Sequence, residues 1–182
     1  QVLESVVGNY VDVPLNENEE IMNSLALFMT EEDKLKLIQK IGVLLDRLEY
    51  LFGDNSKWKW SFVDLHGKFI ILSKNLIYFK ELFRNLDDPS VKGYTERMDL
   101  LKLIKEMLAN TSGKFRDRYE QRGKKIEDMK KGLDIMAVLK RIHTLLNEPD
   151  EAEECKKKYD IWKKKLDDDI KKAEEEKEKI RQ

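Results

Sequence analysis

Between residues 58 and 86 nine apolar side chains fall on one seam, at Trp58, Phe62, Leu65, Phe69, Leu72, Leu76, Phe79, Phe83 and Leu86. The steps alternate between four and three, the spacing of a helix packed lengthwise against other helices. A second line at Val63, Ile70 and Ile77 widens the stripe, so the predicted rod faces two neighbours. At 1.5 Å per residue it is roughly 40 Å long. Lys57 to Phe62 also alternates like a strand, and His66-Gly67 suits a hairpin turn. A hairpin, however, would put Leu65, Phe69 and Leu72 on no common face. Helix is the preferred reading.

Upstream, Asn16 or Asn18 can cap a short helix carrying Ile21, Leu25 and Phe28. Thr30 opens the run Thr-Glu-Glu-Asp, close to a capping box, with negative charge where the helix dipole is positive. The helix that follows has its seam at Leu37, Ile41, Leu44, Leu48 and Leu51, with Ile38, Leu45 and Phe52 beside it. Gly53 suits the position just past its end. The rod that begins at Trp58 ends near Asp87-Asp88-Pro89, because the residue before proline disfavours helical geometry.

Thr95 caps a stripe of Met98, Leu101, Ile104 and Leu108, continued by Phe115, Tyr119, Ile126, Met129, Leu133 and Met136. The stripe then shifts to Ile135, Leu139, Ile142 and Leu146, a discontinuity that alters local winding. The pattern predicts one long helix over 95–147, bent or interrupted near Gly113, with a loop at Asn110-Thr111-Ser112-Gly113 as the alternative. Pro149 forces a sharp turn, and Asp150 to Glu153 restart a helix striped by Cys155, Tyr159, Trp162, Leu166, Ile170 and Ala173. Residues 174–182 are almost wholly charged and cannot sit in a core by themselves.

The predicted fold class is therefore all-α: an elongated antiparallel bundle of long helices with coiled-coil-like packing. Residues 1–15 read as a flexible arm or linker. Residues 16–182 read as a single bundle domain, with long helices at about 31–52, 56–87, 95–147 and 151–182. Composition agrees, since 41% hydrophobic and 39% charged residues with only three prolines favour long helices with solvated faces. The formal net charge of −1 excludes a grossly basic nucleic-acid binder but leaves room for local patches. A single cysteine, Cys155, rules out an internal disulfide or a cysteine zinc site and points to a reducing, cytoplasmic setting. No apolar run approaches the length of a membrane span and no signal peptide opens the chain. Its start at Gln1 rather than Met suits a piece of a larger protein.

Chemistry-bearing motifs are scarce. There is no glycine-rich phosphate loop and no nucleophile elbow. His66 and His143 have no ligand partner at helical spacing, so each reads as a surface or satisfied histidine rather than a metal ligand or base. Asp167, Asp168 and Asp169 point about a hundred degrees apart on a helix and read as a solvated face. Cys155, Trp58 and Trp162 lie on apolar stripes and read as packing, while Trp60 falls off the main seam. No catalytic, cofactor-binding or metal-binding residue is assigned, no cofactor is expected, and an enzyme is the weakest class.

Basic residues form the one chemically suggestive surface. Arg116, Arg118, Arg122, Lys124, Lys125, Lys130 and Lys131 crowd one stretch, and Lys163, Lys164 and Lys165 repeat the theme downstream. These ten are the candidate contacts for lipid or a partner, since each basic side chain beside an anionic leaflet contributes about 1 kcal/mol. Interleaved Glu127, Asp128 and Asp134 keep an ordinary solvated helix as the other reading. Nucleic acid is disfavoured, because the charges are interrupted by acids and lack aromatic interleaving.

The turn Asn147-Glu148-Pro149-Asp150, followed by Tyr159-Asp160-Ile161-Trp162-Lys163-Lys164-Lys165-Leu166 and Asp167-Asp168-Asp169-Ile170-Lys171-Lys172-Ala173, resembles the final helices of sorting-nexin BAR domains. That resemblance implies a dimeric crescent whose concave basic face binds curved endosomal membrane, with a phosphoinositide-binding PX domain upstream. The leading expectation is a non-catalytic scaffold that self-associates, or pairs with another helical protein, and binds anionic membrane in trafficking. The alternative is a helical-bundle adaptor that binds another protein and has no lipid role.

Overall fold

The structure, a computed structural model, describes residues 11, 19–53 and 56–181. Helices hold 82% of the described residues and none of those residues is in a strand, so the fold is all-α and the hairpin rival at Lys57 to Phe62 falls. In chain order the helices are α1 (Glu19–Ala26), α2 (Glu31–Phe52), α3 (Lys59–Asn75), α4 (Phe79–Arg84), α5 (Tyr94–Gln121), α6 (Ile126–Leu145) and α7 (Pro149–Arg181). The expected arm over 1–15, Val11 apart, and the proposed caps Asn16 and Asn18 lie outside the described residues. One bundle domain is expected from residue 16. The structure instead divides into two compact units, one running to Thr111 and one starting at Ser112.

In the first unit, α2 starts where the Thr30 hydroxyl accepts the Asp33 N–H at 3.2 Å and the Asp33 carboxylate accepts the Thr30 N–H at 3.0 Å. This reciprocal box satisfies two of the helix's orphan donors. The Thr30 hydroxyl also donates to the Asp33 carboxylate at 2.7 Å, and that bond first and the Thr30 N–H second hold the Asp33 carboxyl below its usual range. The helix ends at Gly53, whose φ of 73° suits a residue without a Cβ and whose N–H reaches the Glu49 carbonyl at 3.0 Å.

The predicted rod over 56–87 is in fact two helices. The Leu76 N–H bonds back to Ser73 at 3.2 Å, and Tyr78 takes a non-helical conformation before α4. Leu76 and Ile77 are buried at this corner, so the apolar spacing runs on through a break in the backbone. The face of α3 that meets the core is also rotated from the expected seam. Phe62 and Phe69 are buried with Val63 and Ile70, whereas Leu65 and Trp58 are 42% and 48% exposed. A buried Arg97 on α5 ties the unit together, pairing with Glu81 of α4 at 3.0 Å and lying 4.0 Å from Glu31 of α2. Glu31 also takes the buried Lys34 ammonium at 2.8 Å.

The second unit comprises the last turns of α5 with α6 and α7. The expected helix over 95–147 is interrupted, but at 122–125 rather than near Gly113. Residues 110–113 are helical, and Thr111 and Ser112 are buried. At Gly132 a Cβ would stand 3.1 Å from the Ser112 carbonyl oxygen, so these small residues set how closely α6 approaches α5. The actual stop uses left-handed geometry at Gly123 (φ 71°) and Lys124 (φ 53°), with the Lys124 N–H reaching back five residues to the Tyr119 carbonyl at 3.0 Å. The α6–α7 corner repeats the device: Asn147 has φ 56°, the Glu148 N–H returns to His143 at 2.9 Å, and Pro149 opens α7. Here Phe115, Tyr119, Met129, Leu133, Trp162 and Leu166 are buried together with the expected Cys155.

Candidate functional site

The ten basic candidates divide when the second unit folds. Arg118 is 4% exposed and its guanidinium bonds the buried Asp128 carboxylate, so it faces inward. Arg116 lies over the Trp162 ring at 5.4 Å and Lys131 over Phe115 at 5.6 Å, within reach of cation–π attraction. Lys124 gives its ammonium to Asp169 at 2.8 Å, and Lys165 reaches Glu120 at 3.4 Å and Asp169 at 3.9 Å. Arg122, Lys125, Lys130, Lys163 and Lys164 are exposed, and so are Lys124 and Lys131 despite their partners. Lys163 and Lys164 are adjacent on α7 and so point about a hundred degrees apart. As a single cationic face the group is lost, because half of it stitches α5, α6 and α7 to one another.

Asp169 is the hub of that stitching. It accepts Lys124 Nζ and the Tyr119 hydroxyl at 2.8 and 2.9 Å. Lys124 first and Tyr119 second hold its carboxyl below the usual range. Burial, then the hydrogen bond to Asp169, pushes the Tyr119 phenol well above its ordinary value. Asp167 and Asp168 stay exposed, but Asp169 turns toward Tyr119 and Lys124 and leaves the solvated face expected for all three. Cys155 is buried, and burial pushes its thiol up, away from the reactive thiolate.

The first unit presents a different surface. On α2 the inner line of the pattern is covered: Ile38 and Leu45 are 1% and 7% exposed. The heptad seam beside it is not. Leu37 and Ile41 are half-buried, Leu44 is 58% exposed, Leu48 45% and Leu51 77%. These positions share one side of α2, and the exposed Lys36, Lys40 and Arg47 run along its outer flank. Val43 and Tyr50 continue the apolar surface beyond that basic line, and both are exposed. Periodicity finds this stripe; which of its two lines meets the core is a tertiary matter.

One cluster escapes sequence spacing altogether. His66 of α3 comes against α2, its Nε2 lying 2.8 Å from Glu49 Oε2. Asp46, one turn before Glu49, brings a second carboxylate, and the three ligand atoms lie within 4.8 Å of one another. Asp46 and Glu49 are three apart on a helix, a legible pair, but nothing local ties them to a histidine seventeen residues on. His143 is satisfied locally by the Glu148 carboxylate.

Among the described residues no helix is long and apolar enough to cross a membrane. Neither a curated protein nor a solved structure matches the chain. A family model does, over residues 1–170, and it corrects the sorting-nexin BAR expectation. The resemblance rested on a turn and on charged heptads in α7, and any antiparallel helix pair with a wet outer face repeats those. The match spans both compact units and identifies the chain as a member of the TP0443 family.

Proposed function

We propose that this protein is a non-catalytic interaction module whose α2 seam receives an amphipathic helix with acidic flanks. The observation that supports the reading is the uncovered heptad Leu44, Leu48 and Leu51 bordered by Lys40 and Arg47, Lys36 on the same flank being paired with Glu32. Exposed apolar surface of this regularity is what a helix-in-groove or coiled-coil contact consumes. Flanking charges in such contacts select the partner. Here they are basic, so they favour a partner carrying Glu or Asp beside its own apolar seam. A second copy is disfavoured, because antiparallel pairing of two α2 helices sets Lys40 against Arg47 of the other chain, a like-charge contact.

Two synthetic amphipathic helices with the same Leu seam, one flanked by Glu and one by Lys, test this by fluorescence anisotropy. The Glu-flanked helix binds, loses affinity as salt rises, and loses at least about tenfold on Leu44→Asp or on the Lys40→Glu/Arg47→Glu pair. Equal binding of both helices, or of neither, overturns the reading. A stable dimer abolished by Leu44→Asp would assign the seam to a second copy instead, and anionic-vesicle binding without helix binding would assign it to lipid.

A further inference from the structure

We propose that Asp46, Glu49 and His66 form a binding site for a borderline divalent transition-metal cation, with Zn2+ the best match, that fastens α2 to α3. The donor set is one imidazole nitrogen and two carboxylate oxygens, already within 4.8 Å of one another. Around zinc, with metal–ligand distances of about 2.0–2.1 Å, tetrahedral donors stand roughly 3.3 Å apart. His66 Nε2 and Glu49 Oε2, now 2.8 Å apart, therefore open slightly as the metal displaces the proton they share, while Asp46 swings in by up to about 1.5 Å. Asp46 is exposed and Glu49 half-buried, which leaves their side chains room to rotate, while His66 is held between the helices.

Charge supplies the second argument. Two carboxylates one turn apart on the same helix face repel each other. A dication placed between them and the imidazole converts that repulsion into attraction on both sides. Hard cations are the poorer fit. Mg2+ demands near-ideal octahedral oxygen ligation and Ca2+ six to eight oxygens, whereas a neutral imidazole suits zinc and its neighbours in the transition series. Three protein donors leave the fourth zinc position to water. The site requires nothing from the Leu44–Leu48–Leu51 stripe, so it stands or falls separately from the docking reading.

The experiment is calorimetric titration of chelator-treated protein with ZnCl2, with MgCl2 as the contrast, alongside thermal melts at each metal concentration. The expected result is one zinc per chain, a Tm that rises with zinc and not with magnesium, and at least about tenfold weaker binding in Asp46→Asn and in His66→Gln. Asp46 is exposed, so Asp46→Asn keeps the fold even if removal of the His66–Glu49 bond weakens it. His143→Gln and Cys155→Ser, in the other unit, retain full binding. Cobalt substitution gives d–d bands without thiolate charge transfer. No heat at about 1 mM zinc, or binding unchanged in Asp46→Asn, overturns the proposal.

Discussion

The two units carry the same kind of heptad writing and treat it in opposite ways. In the second unit the stripes of α5, α6 and α7 close on one another, and among the described residues Ile126, Leu145 and Ile161 are the large apolar ones left exposed. In the first, the exposed set includes Leu27, Phe28, Leu44, Leu48, Tyr50 and Leu51, concentrated on α2 and the turn before it. The second unit pairs Arg118 and Lys124 with Asp128 and Asp169 and sets Arg116 and Lys131 over two aromatic rings, while Lys40 and Arg47 stay on the surface of α2. One unit uses many of its apolar and basic residues to hold itself together; the other leaves a strip of both in water.

The largest test of that contrast is Arg118→Ala. It strands Asp128 in a buried position and should cost about 3–5 kcal/mol in urea unfolding, whereas replacing both residues by apolar ones of similar size recovers most of the loss. A cost below about 1 kcal/mol would mean the pair is not buried as described.

Next comes a matched pair of leucines. Leu133→Ala, at a site 6% exposed, opens a core cavity and should cost about 2–5 kcal/mol. Leu44→Ala should change stability by about 0.5 kcal/mol or less, because its side chain is already in water. If the two losses were equal, α2 would have a covered seam after all, and the division between the units would collapse.

The third test separates the units by pH. Tyr119→Phe removes a hydrogen bond to a carboxylate and should cost about 1.5–3 kcal/mol at neutral pH. Because the Asp169 carboxyl is held low in the folded state, its contribution is present above the usual carboxylate range, about pH 4, and disappears as pH falls through the lowered value. Tyr119 and Lys124 are shifted upward, so theirs is present below about pH 10 and disappears as pH rises through the raised values. Melting curves against pH should show both limbs weakened in Asp169→Asn. The acid sensitivity due to Asp33, in the first unit's capping box, should persist in that variant. Unchanged limbs in Asp169→Asn would remove Asp169 from its place as hub.

Much of the architecture is legible along the chain. The Thr30 box, the glycine stop at Gly53 and the Asn147–Pro149 corner are local devices, each specified by two to five neighbouring residues, and each forms where its residues stand. The break at 76–78 is less legible, because Leu76 and Ile77 keep the apolar spacing while the backbone turns. Gly113 is read as a break and Gly123 makes one. Gly113 sits inside an otherwise favourable helix, whereas Gly123 can take the left-handed conformation that ends α5.

Helical periodicity and capping are encoded at separations of three to seven residues, so the stripes, most helix starts and the all-α class follow from the order of side chains alone. Which stripe is covered is settled by contacts between distant segments, whose energies depend on area and charge actually brought together. Only the folded chain could bury Arg118, leave Leu44 in water, or carry His66 to Asp46 and Glu49. Local spacing repeats alike in every amphipathic helix, and burial is a property of the pair that meets.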